Sequence, residues 1–156
     1  MVKPPETSNR KLAANKAAFR DYFVLERLEA GIELRGTEVK SIKNSNVNLG
    51  SSFARIHAGQ VFLFNLNIAP YDHGNQFNHQ PDRQRRLLLH AKEIRKLGVQ
   101  TDQKGLSLIP LSVYLKRGMV KVEIGVCKGK RMHDKRDDMR RKTAERETAR
   151  AISLRR

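Results

Sequence analysis

Few side chains in this sequence carry reactive chemistry. Cys127 and His133 stand close together in the chain, a pairing that could supply a thiolate nucleophile and its base. His73 and His79, with Asp72 and Asp82, offer imidazole and carboxylate donors of the kind zinc accepts. Neither set is compact, and no CxxC, HExxH or Gly-rich phosphate loop accompanies them. The expectation is therefore no catalytic residue, no metal and no cofactor; a small nuclease using His73 or His79 is the enzymatic rival. Cationic nitrogen, in contrast, is abundant. Lys128, Lys130, Arg131, Lys135 and Arg136 crowd the stretch GVCKGKRMHDKRD, Gly125 to Asp137. The planar guanidinium fork suits phosphates and base edges, so this chemistry points to binding a polyanion.

Charge and composition agree. The 156 residues carry a net charge of +16 and a pI of about 10.6. Such self-repulsion weakens a compact state and suggests a polyanionic partner. Nucleic acid is preferred to a membrane surface, because no long apolar run, signal peptide or lipidation motif is seen. A single cysteine cannot form an internal disulfide, which fits a reducing cytoplasm. Hydrophobic content is 38% and unevenly spread, so a core can form between about Phe19 and Cys127 but not beyond. Residues 1–10 are expected to be a flexible N-terminus and 11–130 a folded RNA-binding domain. Residues 131–156 are expected to be a basic tail, disordered when free and helical when a polyanion neutralises it. From Lys128 onward, twelve basic residues stand against five acidic ones, a local net charge of +7.

The elements that must position these cations read mainly as strands. Asn9 to Arg20 is rich in helix formers and predicts a short helix. Tyr22 to Leu25 is strand-like, and Gly36-Thr37 looks like a helix entry with Thr37 as N-cap. A hairpin turns at Ala58-Gly59; Phe62 and Phe64 alternate on it and read as core rather than as base-stacking aromatics. A long irregular segment spans Ala69 to Arg86. A helix over about His90 to Leu97 is expected to stop at Gly98. The clearest pattern is the last hairpin. Leu111, Val113 and Leu115 alternate with polar residues, then Val120, Val122, Ile124 and Val126 do so after Arg117-Gly118. That alternation puts Lys121 and Cys127 on the outward face. Five or six antiparallel strands with inserted helices fit a partly open oligonucleotide-binding barrel; a two-layer α+β sheet is the alternative.

Several stretches together resemble a known family. They are DYFVLERLEAGIELRGTEVKSIK (Asp21 to Lys43), NLGSSFARI (Asn48 to Ile56), NIAPYDHGN (Asn67 to Asn75), RRLLLHAKEIRKL (Arg85 to Leu97) and LIPLSVYLKRGMVKVEIGVCKGKRMHDKRD (Leu108 to Asp137). Read with the basic tail, they are similar to the SsrA-binding protein (small protein B) family, the bacterial partner of transfer-messenger RNA. The resemblance implies a mainly β fold: a closed antiparallel barrel resembling an oligonucleotide-binding fold, with about three short flanking helices and a basic C-terminal tail. It implies binding to the tRNA-like domain of transfer-messenger RNA and entry into stalled ribosomes for trans-translation. Elongation factor Tu and the alanyl-charged RNA are the implied partners there, together with small-subunit ribosomal RNA. No catalytic activity is implied.

Carried over by position, the family's RNA-contacting acid falls on Glu29, its apolar contact on Leu88 and its strand cation on Lys121. Lys128, Lys130 and Arg131 extend this RNA-binding set. His133, Asp134, Lys135 and Arg136 correspond to the motif that meets the decoding centre and the empty messenger channel. The family often carries Lys where Arg131 stands. A ribosomal protein with an RNA-threading tail shares the same plan and is the competing structural reading.

Overall fold

Alternating apolar and polar residues drive most of the chain into short strands that pair edge to edge. The computed structural model describes residues 10–74 and 78–154. Residues 1–9 of the expected N-terminus, residues 75–77 of the long irregular segment and the last two arginines of the tail lie outside that description. The elements run β1 (Arg10–Ala14), α1 (Lys16–Asp21), β2 (Tyr22–Ile32), α2 (Gly36–Lys43), β3 (Val47–Asn48), β4 (Phe53–His57) and β5 (Gln60–Phe64). They continue with β6 (Asn67–Ile68), β7 (Arg85–Leu88), α3 (Ala91–Asp102), β8 (Ser107–Lys116), β9 (Met119–Gly129) and α4 (Met132–Leu154). The order β8-β4-β5-β7-β2-β9, with β9 pairing back onto β8, closes six strands into an antiparallel ring. β1 adds to the outside edge of β8, while β3 and β6 form a separate two-stranded ladder. The ring is the small closed barrel expected of the family, with α1, α2 and α3 as its short helices.

Two hairpins fix its register. Ala58-Gly59 (φ 50° and 75°) and Arg117-Gly118 (φ 52° and 76°) have positive φ at both turn positions, the conformation whose twist matches the flanking strands. Inside the ring Ala30, Leu63, Val113, Val122, Ile124 and Val126 are buried. A second, smaller cluster lies outside the ring under α1, where Ala18 meets Ile109, Leu111 and Cys127. A bulge between Val24 and Glu26 in β2 moves the even-numbered residues from this outer cluster to the interior. A second bulge, between Pro110 and Ser112, puts Leu111 outside while Val113 stays within.

Four local expectations are corrected. Only Lys16–Asp21 of the first helix-forming segment is helical; Arg10–Ala14 pairs with β8, because an unsatisfied strand edge outweighs modest helix propensity. Asn15 divides the two, accepting from the Ala18 N–H (3.2 Å) and donating to the Pro110 carbonyl (3.0 Å). Arg35, not Thr37, is the N-cap of α2. Helix α3 runs through Gly98 to Asp102, since Leu97 and Gln100 bury beneath it. Cys127, expected to be wet, is buried because α1 covers that face, and burial pushes its thiol up to about 11. A thiol reagent at pH 8 should leave it unmodified in the native protein and label it fully in denaturant, a colorimetric titration that needs no mutation.

The long irregular segment is organised from within by a buried ion pair. Arg85 and Glu38, both fully buried, pair through Arg85 Nε. The guanidinium also donates to the carbonyls of Leu66 (2.7 Å), Arg83 (2.9 Å) and Pro81 (3.1 Å). Glu38 accepts from Arg83 and from the Arg35 backbone N–H (2.8 Å), which closes the first turn of α2. Beside it the His79 ring bridges Ile68 O (2.8 Å) and Thr37 Oγ1 (2.9 Å). Burial raises the Glu38 carboxyl, but the hydrogen bonds from Arg83, Arg35 and Arg85 outweigh it and hold the group below its ordinary value. Its stabilising contribution is thus present above the unfolded carboxyl pKa and is lost as pH falls through the folded one. Glu38→Gln should cost about 3–5 kcal/mol, because it strands a buried guanidinium; chemical denaturation should read this loss, with an accompanying fall in acid sensitivity.

Candidate nucleic-acid interface

Strand register brings three of the expected contact residues together. Gly31 in β2 is the Cα partner of Lys121 in β9 on one side and of Leu88 in β7 on the other. Lys121 in turn pairs with Tyr114 of β8. One row across four strands therefore reads Tyr114, Lys121, Gly31, Leu88. Glu29, two residues before Gly31, lies on the same outer face. The residue at the centre of the row must be small. A Cβ on Gly31 would lie 3.2 Å from Leu88 Cβ and 3.7 Å from Lys121 Nζ.

Around this row lies a concavity of about 650 Å³, bordered also by Gln60, Arg86, His90 and Glu93. Its polarity is mixed. Leu88 is 49% exposed while its neighbour Leu87 is buried, so the leucine run divides between core and surface. The Tyr114 hydroxyl donates to Glu29 Oε2, and Lys116 Nζ lies 3.3 Å from the same oxygen. The tyrosine hydrogen bond, followed by Lys116 and Lys121, holds the Glu29 carboxyl below its usual range against a partial desolvation. Burial and then Glu29 raise the Tyr114 phenol, which stays protonated and remains a donor. The site thus presents a fixed carboxylate, two ammonium groups and an exposed apolar side chain. A carboxylate accepts from base amino groups, ammonium groups pair with phosphates, and an apolar side chain takes the face of an unstacked base.

The other expected residues gather at the opposite end of the β2–β9 ladder, where Tyr22 pairs with Gly129. Nine residue steps along β2 lead from Tyr22 to Gly31, roughly 30 Å at about 3.3 Å per residue. Lys128 and Arg131 are exposed. Lys130 is held: its ammonium pairs with Asp138 and donates to the Phe19 carbonyl (3.1 Å). α4 begins with Asp134 accepting from the Arg131 N–H (3.3 Å), with exposed His133 beside it. Lys135 is 3.3 Å from Asp21, and Arg136 is exposed. No residue of α4 is buried. Sequence reasoning missed Tyr114, Lys116 and Gly31. The tyrosine's outward position in the alternation and the glycine of EAG were the available signals.

The histidines of the metal reading do not assemble. Both ring nitrogens of His79 are engaged inside the fold, and His73 packs edge-on against Tyr71. Among the described residues no group of three His, Cys, Asp or Glu side chains is placed to hold a metal ion. Among the same residues no helix is long and apolar enough to cross a membrane. Phe64 stacks on Phe53 at 5.4 Å, and Arg55 lies 5.0 Å over the Phe53 ring.

Comparison with known proteins identifies relatives along nearly the whole chain. The family model described as SmpB protein matches residues 12–154. An SsrA-binding protein of Geobacillus thermodenitrificans is 52% identical over 148 residues, covering 95% of this chain and 96% of that protein. One from Shouchella clausii is 53% identical over 149 residues, covering 96% of each. Among solved structures, a chain described under "tmRNA-SmpB: a journey to the center of the bacterial ribosome" superposes with a TM-score of 0.66 at 46% identity. That match covers 83% of this chain and 94% of the other.

Tyr114→Phe removes the hydroxyl that fixes Glu29 while keeping the ring. It should cost about 1 kcal/mol of stability and weaken affinity for a tRNA-like RNA about fivefold to tenfold. Glu29→Ala should weaken it further with the fold intact; thermal melts and a binding titration on the two variants separate these effects.

Proposed function

The chain belongs to the SmpB protein family, and from that premise we propose that it binds transfer-messenger RNA and brings it to ribosomes for trans-translation. The observation that carries the reading is the row Lys121–Gly31–Leu88 with Glu29 beside it, in a chain whose relatives are SsrA-binding proteins. Glu29, Leu88 and Lys121 take the tRNA-like domain: the carboxylate reads base amino groups, Leu88 covers an unstacked base and Lys121 takes phosphate. The convex path of a folded RNA elbow, rather than a linear sequence, suits a concavity built from four strands. Lys128, Lys130 and Arg131 continue the cationic surface toward the ribosome.

The opposite end supplies the second contact. His133, Asp134, Lys135 and Arg136 open α4 and are directed to the decoding centre, where the planar His133 ring stacks on a base. The rest of the helix occupies the messenger channel left empty by a truncated message. Its many arginines and its lack of any buried face favour an RNA-walled channel over a protein partner. The tail is disordered in the unbound protein beyond its first turns and becomes helical as phosphates neutralise it. Alanyl-charged transfer-messenger RNA with elongation factor Tu arrives in the same complex. The protein acts as an adaptor without catalysis of its own, in the cytoplasm where ribosomes work.

A gel-shift titration against the tRNA-like half of transfer-messenger RNA, with ordinary alanine tRNA as competitor, tests the reading. Strong preference for the first RNA at both low and high salt is expected. If about six phosphates are neutralised, a fourfold rise in salt should weaken both affinities about a thousandfold while leaving the preference. Equal binding of the two RNAs would overturn the assignment. Truncation after Lys130 should leave RNA binding intact and abolish rescue on stalled ribosomes; lost binding would contradict two separate surfaces.

A further inference from the structure

The outer face that carries Leu88 continues past the groove. Arg86, two residues earlier in β7, is the Cα partner of Phe62 in β5, and Phe62 is the partner of Arg55 in β4. A second row, across three strands, therefore reads Arg86, Phe62, Arg55 on the same face as Leu88. Arg86 also borders the groove. Phe64 and Phe53 form the next cross-strand pair on this face, stacked with ring centroids 5.4 Å apart. Phe62 and Phe64, expected in the core, thus lie outside it. The alternation sends Val61 and Leu63 inward, where both are buried, and leaves the two phenylalanines half-buried on the outside. Neither ring packs against the interior cluster or the one under α1.

Stacking of Phe53 on Phe64 steadies the hairpin, but it does not account for Phe62, an aromatic ring set between two arginine partners. Arg55 is exposed and lies 5.0 Å over the Phe53 ring. Arg86 Nε is 2.9 Å from Glu33 Oε2, with the two side chains 42% and 58% exposed. An ion pair that open to water is weak, so a phosphate can take the place of the carboxylate. Aromatic rings interleaved with guanidinium groups match an unpaired nucleotide: the rings stack on the base and the arginines take the flanking phosphates. Every base has a face to stack, so such a surface tolerates any sequence. Beyond Phe53 the face ends in a concavity of about 550 Å³. Ser51, Ser107 and Asp102 line it, groups that suit the hydrogen-bonding edge of a base. We propose that the outer face of β4 and β5 is a base-stacking site for unpaired RNA nucleotides, reached from the groove over Arg86. Its continuity with a groove that holds RNA rests on the RNA-binding reading; the stacking surface stands on the strand register alone.

Hexauridylate and an abasic hexamer of the same ribose-phosphate backbone, equal in charge but without bases, test this on the full chain. By fluorescence anisotropy the unaltered protein should bind hexauridylate about tenfold more tightly than the abasic hexamer. In Phe62→Leu/Phe64→Leu that preference should vanish at every salt concentration, while Phe62→Tyr keeps it. Arg55→Gln should weaken both oligomers alike and lower the salt slope by about 0.7. Hexamers of 5-bromouridylate, irradiated on the unaltered chain, should attach to the β4–β5 hairpin in tandem mass spectra, a readout that does not depend on any variant folding. A base preference retained in the double variant, or attachment confined to other segments, would overturn the proposal. So would a dimer in sedimentation velocity that the double variant dissolves, since the face would then be a contact between copies. Equal competition by ordinary alanine tRNA in the gel shift would instead strike the transfer-messenger RNA reading and leave the stacking surface standing.

Discussion

The buried pairing of Arg85 with Glu38 is the constraint on which the rest depends. Taking both charges out of water is costly, and only a full set of partners offsets it. The chain supplies them by wrapping the carbonyls of Leu66, Pro81 and Arg83 around the guanidinium and aiming Arg83 and the Arg35 N–H at the carboxylate. A segment that would otherwise be a long entropic loop thereby acquires a fixed path. Arg85 is also the first residue of β7, so the same pair decides where that strand enters the ring. Leu87 then falls inward and Leu88 outward beside Gly31. The groove beside Gly31 inherits its geometry from an interaction on another part of the wall.

Acidic residues in this basic chain are spent on organisation. Glu38 closes the long loop and Glu29 is fixed by Tyr114 and Lys116. Asp21 and Asp138 hold the base of α4. Each neutralises cations inside the fold, so a large share of the remaining positive charge is left outward. The arrangement reconciles a net charge of +16 with a compact ring: local pairing relieves self-repulsion where elements meet, and the excess stays on surfaces meant for a polyanion.

Much of this was legible in the sequence, for reasons that differ by residue. The two hairpins and the alternation of β9 are local signals, so the turns and the outward position of Lys121 could be read directly. Glu29 and Leu88 needed the family resemblance, because a carboxylate near a glycine and a leucine in an apolar run have ordinary structural roles. The Tyr114–Lys121–Gly31–Leu88 row was not legible. It depends on the register of strands far apart in sequence, and two bulges shift that register. Arg85 read as one more basic residue at the end of a loop, since nothing local shows that carbonyls from two other segments close around it. Cys127 looked wet because its strand face is outward; the short helix that covers it comes from the other end of the chain.

The bulge at Leu25 gives β2 a parity. Before it, even-numbered residues such as Val24 face the outer cluster; after it, Leu28 and Ala30 face the interior. In an intact ladder, inserting or deleting one residue would turn every following side chain to the wrong face. Changes of length between the groove and the base of α4 must therefore come in twos, or be absorbed where the pleat is already broken. The bulge acts as a phase-setting joint: it decides not how far apart the two ends of the molecule are, but which way each looks relative to the other. Drift in the length of this strand should accordingly be quantised, and a single-residue change should be tolerated at Leu25 before anywhere else along the ladder.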